Sequence, residues 1–258
     1  MHRRQFLLGL TVLANFRFAR ADTLGRFLPR LRQCIATLYP RPELRLEYGR
    51  LASKLGLDQG EPSYRRYVRL RTLFEATRDA GLWHLQWTIT DLLPDSRAIF
   101  RQWALCGQPG RVTATAECDE LSALLGFFCH RLDVPGVGLL WPTSNHTVAC
   151  WVPKEGVRVV VPTSQIYLPE AATLGTNGFN AYSQSIVYPY TQSDVGLGFE
   201  LPSALLDFFV EQIVRYGAAP LPLLSRMRSW RWQWQRGQPL ARPTSREPYL
   251  QEFWRQYG

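Results

Sequence analysis

Apolar residues recur at helical spacing through most of the chain and switch to strand-like alternation in its middle. Leu24, Phe27, Leu28, Leu31, Ile35 and Leu38 predict a helix over 24–38, stopped by Pro40 and Pro42. Two more helices are predicted over 43–56 and 62–80, with their arginines on solvated faces and Gly81 ending the second. Trp83, Leu85, Trp87 and Ile89 then alternate with polar residues, as in a half-buried strand. Asp95 is placed to cap a helix over 96–105. Leu121, Leu124, Leu125, Phe128 and Leu132 predict a helix that begins at or beside Cys118 and stops before Pro135-Gly136. Residues 137–141, 146–152 and 157–161 read as strands, and Pro153-Lys154-Glu155-Gly156 folds the last two into a hairpin. Pro202 opens a helix that buries Leu205, Leu206, Phe209, Val210, Ile213 and Val214 and closes at Gly217. Residues 170–200, rich in Gly, Asn, Ser and Tyr, read as a long loop of the kind that more often carries function than none.

Helices joined to a short antiparallel set of strands give an α+β fold class. The 258 residues are 46% hydrophobic and 20% charged, enough for one sizeable core and too apolar for bulk disorder. No apolar run reaches about 18 residues, which excludes a polytopic membrane protein. The net charge of +9 invites a nucleic-acid reading, but its distribution removes most of that reading. Four arginines and no acid fall in residues 1–21, and seven arginines against Glu247 and Glu252 fall in 226–258. The intervening 22–225 holds 19 basic and 19 acidic residues and is formally neutral.

The basic start has the form of an address. Arg3-Arg4 precede an apolar stretch from Phe6 to Ala14 and then Ala19-Arg20-Ala21, which resembles a twin-arginine signal peptide over residues 1–21. His2 and Leu8 depart from the usual form of that signal. The expectation is export in a folded state to the periplasm, with Asp22 as the mature start. The basic end, from Ser229-Trp230-Arg231-Trp232-Gln233-Trp234, interleaves Arg with Trp. It is expected to lie as an edge strand or extended arm, tryptophans on the body and arginines outward. It also offers peripheral contact with an anionic membrane surface. Nucleic acid is disfavoured as a partner for an exported protein.

Five cysteines, at 34, 106, 118, 129 and 150, leave at least one thiol unpaired in a monomer. Cys118 stands at a predicted helix N-terminus, where unpaired N–H groups and the helix dipole favour a thiolate and where an oxyanion finds donors. His146 opens a strand two elements later, and a nucleophilic Cys needs such a partner close in space rather than in sequence. The alternatives are an inert core cysteine and a strand-end histidine with ordinary partners. His84 and His130 read as structural or surface residues, and Cys129 and Cys150 as core. Cys118, Cys129 and His130 lack the paired spacing of zinc motifs, so neither a metal nor a cofactor is expected.

Glu117-Cys118-Asp119-Glu120-Leu121-Ser122-Ala123-Leu124-Leu125, ending in Arg131-Leu132-Asp133-Val134-Pro135, resembles the transglutaminase-like (papain-related) core. In that family a Cys followed by an acid opens a helix that ends Arg-x-x-Gly-Ile-Pro. The family's His strand, His-Ala-Trp-Val, is matched by His146-Thr147-Val148-Ala149-Cys150-Trp151-Val152, and its Asp-Pro-Thr by Val161-Pro162-Thr163. The likeness covers roughly residues 95–170. It implies acyl transfer or amide hydrolysis, with Cys118 as nucleophile and His146 as acid/base, on a peptide or protein that includes cell-wall peptides among its candidates.

The family's Asp falls on Val161, and no Asp lies between Asp133 and Asp194. Thr163 or Gln165 is left to orient the His146 ring. Two other readings follow. One is a catalytically degenerate transglutaminase-like binding protein. The other is a cell-wall peptidase of the NlpC type, which also opens a helix at an acid–Cys pair but usually places its His farther on. The expected organisation is a signal peptide (1–21), an N-terminal helical segment (22–94), the transglutaminase-like core (95–217) and an Arg/Trp-rich tail (218–258).

Overall fold

Thr23 takes the N–H of Arg26 on its hydroxyl and starts α1 (Leu24–Ala36) in a computed structural model that describes residues 21–90, 95–143, 146–164, 187–189 and 196–258. The predicted stripe of α1 is the buried one, from Leu24 to Ile35. Helix α2 (Pro42–Leu55) ends at Gly56, whose φ of 60° lies in the left-handed region that suits glycine. Helix α3 (Glu61–Thr77) follows. The expectation that its arginines are solvated fails at Arg71, which is fully buried, and the same holds for Arg78 just past its end. Arg71 donates to the carbonyls of Gly217 and Ala219 and pairs with Glu47. Carbonyls just past a helix end have no helical donor, and a guanidinium supplies one.

The chain then turns at Gly81, where a Cβ would stand 2.6 Å from the Glu75 carbonyl oxygen. Trp83 follows as the aromatic centre of the molecule. It stacks on Phe209 at 4.5 Å, meets Trp103 and Phe128 edge-on, and donates its indole N–H to the Phe209 carbonyl. The predicted strand shrinks to β2 (Leu85–Trp87), which pairs in parallel with β3 (Ala114–Ala116), and Ile89 is 64% exposed. Asp95 accepts the Arg97 N–H at the start of α4 (Arg97–Leu105), with Ser96 in the cap position itself.

Helix α5 (Cys118–Arg131) begins where expected and lies on a four-stranded antiparallel sheet. The sheet holds β4 (Val137–Thr143), β5 (His146–Lys154), β6 (Val157–Val161) and β7 (Tyr188–Pro189) in the order β6-β5-β4-β7. Strand alternation divides its side chains cleanly. Leu139, Ala149, Trp151, Val159 and Val161 join the main core under α5, while Leu140, Val148, Cys150 and Val160 make a small cluster on the other face. A second pairing joins β1 (Ala21–Thr23) to β8 (Glu200–Pro202), just ahead of α6 (Ser203–Tyr216). Val214, expected in the buried stripe of α6, is 56% exposed.

The tail corrects the sequence expectation. It is neither a strand nor an arm but two helices, α7 (Leu221–Gln235) and α8 (Pro248–Tyr257), packed on each other. Met227, Trp230, Leu250 and Phe253 are buried, and so are Arg228 and Arg231. One apolar core runs from Leu24 to Tyr257, through the N-terminal helices, the sheet and the tail alike. Among the described residues no helix is long and apolar enough to cross a membrane. Residues 1–20, most of the 170–200 loop and Gln165 lie outside the described residues.

Candidate active site

The N-terminus of α5 is built from acids. Glu117 and Glu120 form a capping box, in which Glu120 accepts the Glu117 N–H at 2.8 Å and Glu117 takes the N–H of Glu120. Thr90, after β2, donates its N–H to Glu117 and its hydroxyl to Glu120 and ties that stretch to the cap. Cys118 is the first helical residue, 5% exposed, with Asp119 half-buried beside it. Burial and the neighbouring Glu117 and Glu120 raise the Asp119 carboxyl to about 6.

The Cys118 thiol is pulled both ways. Burial raises it first, and the Asp119 and Glu117 carboxylates raise it further. The backbone N–H groups of Thr147 and Asp119 oppose them, but the balance stays above the ordinary thiol range. The expectation of a helix-stabilised thiolate therefore meets a neutral thiol, chiefly because the sulfur is buried, with the Asp119 and Glu117 carboxylates adding to the effect. Two backbone N–H groups oppose burial here, against one each at Cys106 and Cys150. Burial alone acts on Cys34 and pushes it up to about 11, and Cys129 goes higher still.

The Thr147 N–H locates the sulfur. Backbone N–H groups lie in the plane of a sheet, so the sulfur is level with the first residues of β5. His146 is the residue next to Thr147. It is 2% exposed, it pairs with Thr143 across a bulge in β4, and burial holds its ring below the ordinary imidazole range. By alternation it falls on the face of Val148 and Cys150, not on the α5 face of Ala149 and Trp151. Thiol and imidazole thus both lie near the start of β5, with the imidazole on the face away from α5.

Thr163 does reach this corner, but by way of the helix. Its hydroxyl is 2.8 Å from that of Ser122, which donates to the Cys118 carbonyl at 2.6 Å, and its own carbonyl accepts the Asp79 N–H at 2.7 Å. Thr163 therefore braces the turn that carries Cys118. Gln165 is outside the described residues. Val161 stands directly opposite Ala149 in the hairpin, both fully buried, so an apolar pair fills this position and no carboxylate stands there. Ser164 is 1% exposed, and its hydroxyl has no partner among the described residues.

Sequence reasoning missed Ser122, a hydroxyl one turn after the cysteine, whose signal was its i+4 spacing from Cys118. It also left His84 undecided. That ring is 2% exposed, bonded to the Gly110 carbonyl and the Tyr257 hydroxyl, and pushed down to about 3 by burial and the nearby Arg231. Among the described residues no group of three His, Cys, Asp or Glu is placed to hold a metal ion. Comparison of the chain with protein-family models, curated proteins and solved structures finds no match, so the site rests on its own geometry.

Proposed function

We propose that the protein is a cysteine-dependent acyl transferase or amide hydrolase acting on a peptide or protein, exported to the periplasm and built on a transglutaminase-like core. The observation that carries this reading is the position of the Cys118 sulfur, at the start of α5 and against the Thr147 N–H beside His146. The two shifts at the site agree with each other. A thiol raised above its ordinary value and an imidazole lowered below its own are both neutral at pH 7. The resting pair is thiol and imidazole rather than an ion pair.

Chemistry then runs as general-base attack. His146 takes the thiol proton as the sulfur bonds to the carbonyl carbon. The N–H groups of Thr147 and Asp119 are the donors at hand for the developing oxyanion. The imidazolium returns the proton to the leaving amine, which departs and leaves a thioester. Water or an incoming amine gives up a proton to His146 and releases the acyl group. Peptide-resolved labelling with an acyl-type thiol probe tests this. Cys118→Ala and His146→Ala should each abolish modification of the Cys118 peptide and turnover. If modification and turnover survive in His146→Ala, the acid/base role assigned to that ring is wrong. Export is tested by the N-terminus of the secreted protein, expected at Asp22.

One observation favours a second reading. The Ala149–Val161 pair puts no carboxylate across the hairpin, as in a degenerate member that binds a peptide in the old cleft. Peptide binding without turnover, unchanged by Cys118→Ala, would favour it.

A further inference from the structure

We propose that Arg78, Arg228 and Arg231 form a binding site for a carboxylate group at the junction of α3 and α7. Three guanidinium groups share one buried patch with two acids, Glu75 and Asp79, close enough that each affects the Arg228 charge. Arg78, Arg228 and Arg231 are 6%, 8% and 1% exposed. The acids are already engaged. Glu75 pairs with Arg78 at 3.2 Å, and Asp79 accepts the Trp87 N–H at 2.7 Å. Arg231 spends one nitrogen on the Ala80 carbonyl at 2.8 Å and lies over the Phe253 ring, with the Tyr257 hydroxyl nearby.

Arg78 Nε and Arg228 Nη1 remain without a partner among the described residues, while Arg231 Nε and Nη2 make no hydrogen bond of good geometry and have the Tyr257 hydroxyl beside them. Three positive charges against two negative leave one buried charge unmatched, which is costly without an anion. Burial and the neighbouring guanidiniums lower Arg228 to about 9, so it is still protonated at neutral pH. Water would satisfy the donors but not the charge. A carboxylate does both, because its single charge fits the deficit and its two oxygens fit the planar guanidinium fork. None of the three arginines has a role in the thiol chemistry proposed above.

The test is titration of the full chain at constant ionic strength with acetate, with acetyl-Gly-Gly bearing a free carboxylate, and with the amide of the same peptide. Chloride serves as the reference, and heat of binding and Tm are read together. Both carboxylates should bind saturably and raise Tm, whereas the amide should do neither. Tighter binding of the peptide would identify a chain terminus as the source, and equal binding a free acid. Arg228→Gln should weaken binding by about tenfold or more and raise the Tm of the ligand-free protein, because it removes the unmatched charge. Arg228→Lys keeps the charge without the fork and should also weaken binding, with the ligand-free Tm near that of the wild type. No saturable effect beyond chloride, binding by the amide, undiminished binding in both variants, or a lower ligand-free Tm in Arg228→Gln would each overturn the proposal.

Discussion

The molecule buries two histidines to the same extent, and their surroundings differ. His84 sits among Phe208, Trp234 and Tyr257 with a partner on each ring nitrogen, so its tautomer and orientation are fixed and the proton is excluded. His146 opens a strand beside a thiol, and burial is what lowers it. The first arrangement holds the tail helix α8 onto the turn after α3. Under the proposed function, the second leaves a ring next to a group able to give it a proton. Burial alone therefore does not separate a structural histidine from one proposed to do chemistry. What the neighbouring atoms can exchange with the ring does.

The sharpest way to break this comparison is at the aromatic centre. Trp83→Ala should cost about 3–5 kcal/mol in urea unfolding, with the rate of Cys118 modification per folded molecule unchanged. A matching loss of reactivity would mean the two regions are not separable. His84 comes next. Its folded value, about 3, lies below the ordinary 6.5, so between those values the unfolded chain binds a proton that the folded chain refuses. Stability should fall as pH drops from 6.5 towards 3, and His84→Phe should flatten that limb in unfolding curves taken across the range.

Val161→Asp, which writes the family's acid into an apolar pair, should destabilise by about 3 kcal/mol as an unpaired buried charge. A cost near zero would make the position part of a solvated site. Smallest in stability, Glu117→Gln should cost about 1 kcal/mol through the capping box while lowering the Cys118 thiol, which the Glu117 carboxylate raises. An unchanged pH dependence of Cys118 alkylation would remove the acids as its cause.

The same contrast sets what could be read in advance. The start of α5 at Cys118, the hairpin and the apolar stripe of α1 were legible, because spacing and turn residues fix them locally. The tail was not, although Leu224, Met227, Arg228, Arg231 and Gln235 follow helical spacing. Two of those five are arginines, and polarity argued them outward. Only the third dimension brings Glu75 and the Ala80 carbonyl to meet them. At the thiol, the dipole argument placed Cys118 on the right turn but missed its sign, since burial, which local sequence does not show, is the largest influence on the sulfur and the Asp119 and Glu117 carboxylates add to it.

The most direct measurement is the pH dependence of acyl-probe modification at Cys118, resolved by peptide, in wild type and His146→Ala. A neutral thiol served by a neutral base should give a wild-type rate that rises through the acidic side of pH 6.5 as His146 loses its proton. In His146→Ala the rate should be lower by about 100-fold or more and should increase only as the thiol itself ionises, above pH 9.0. Superimposable profiles for the two proteins would contradict the pairing of Cys118 with His146.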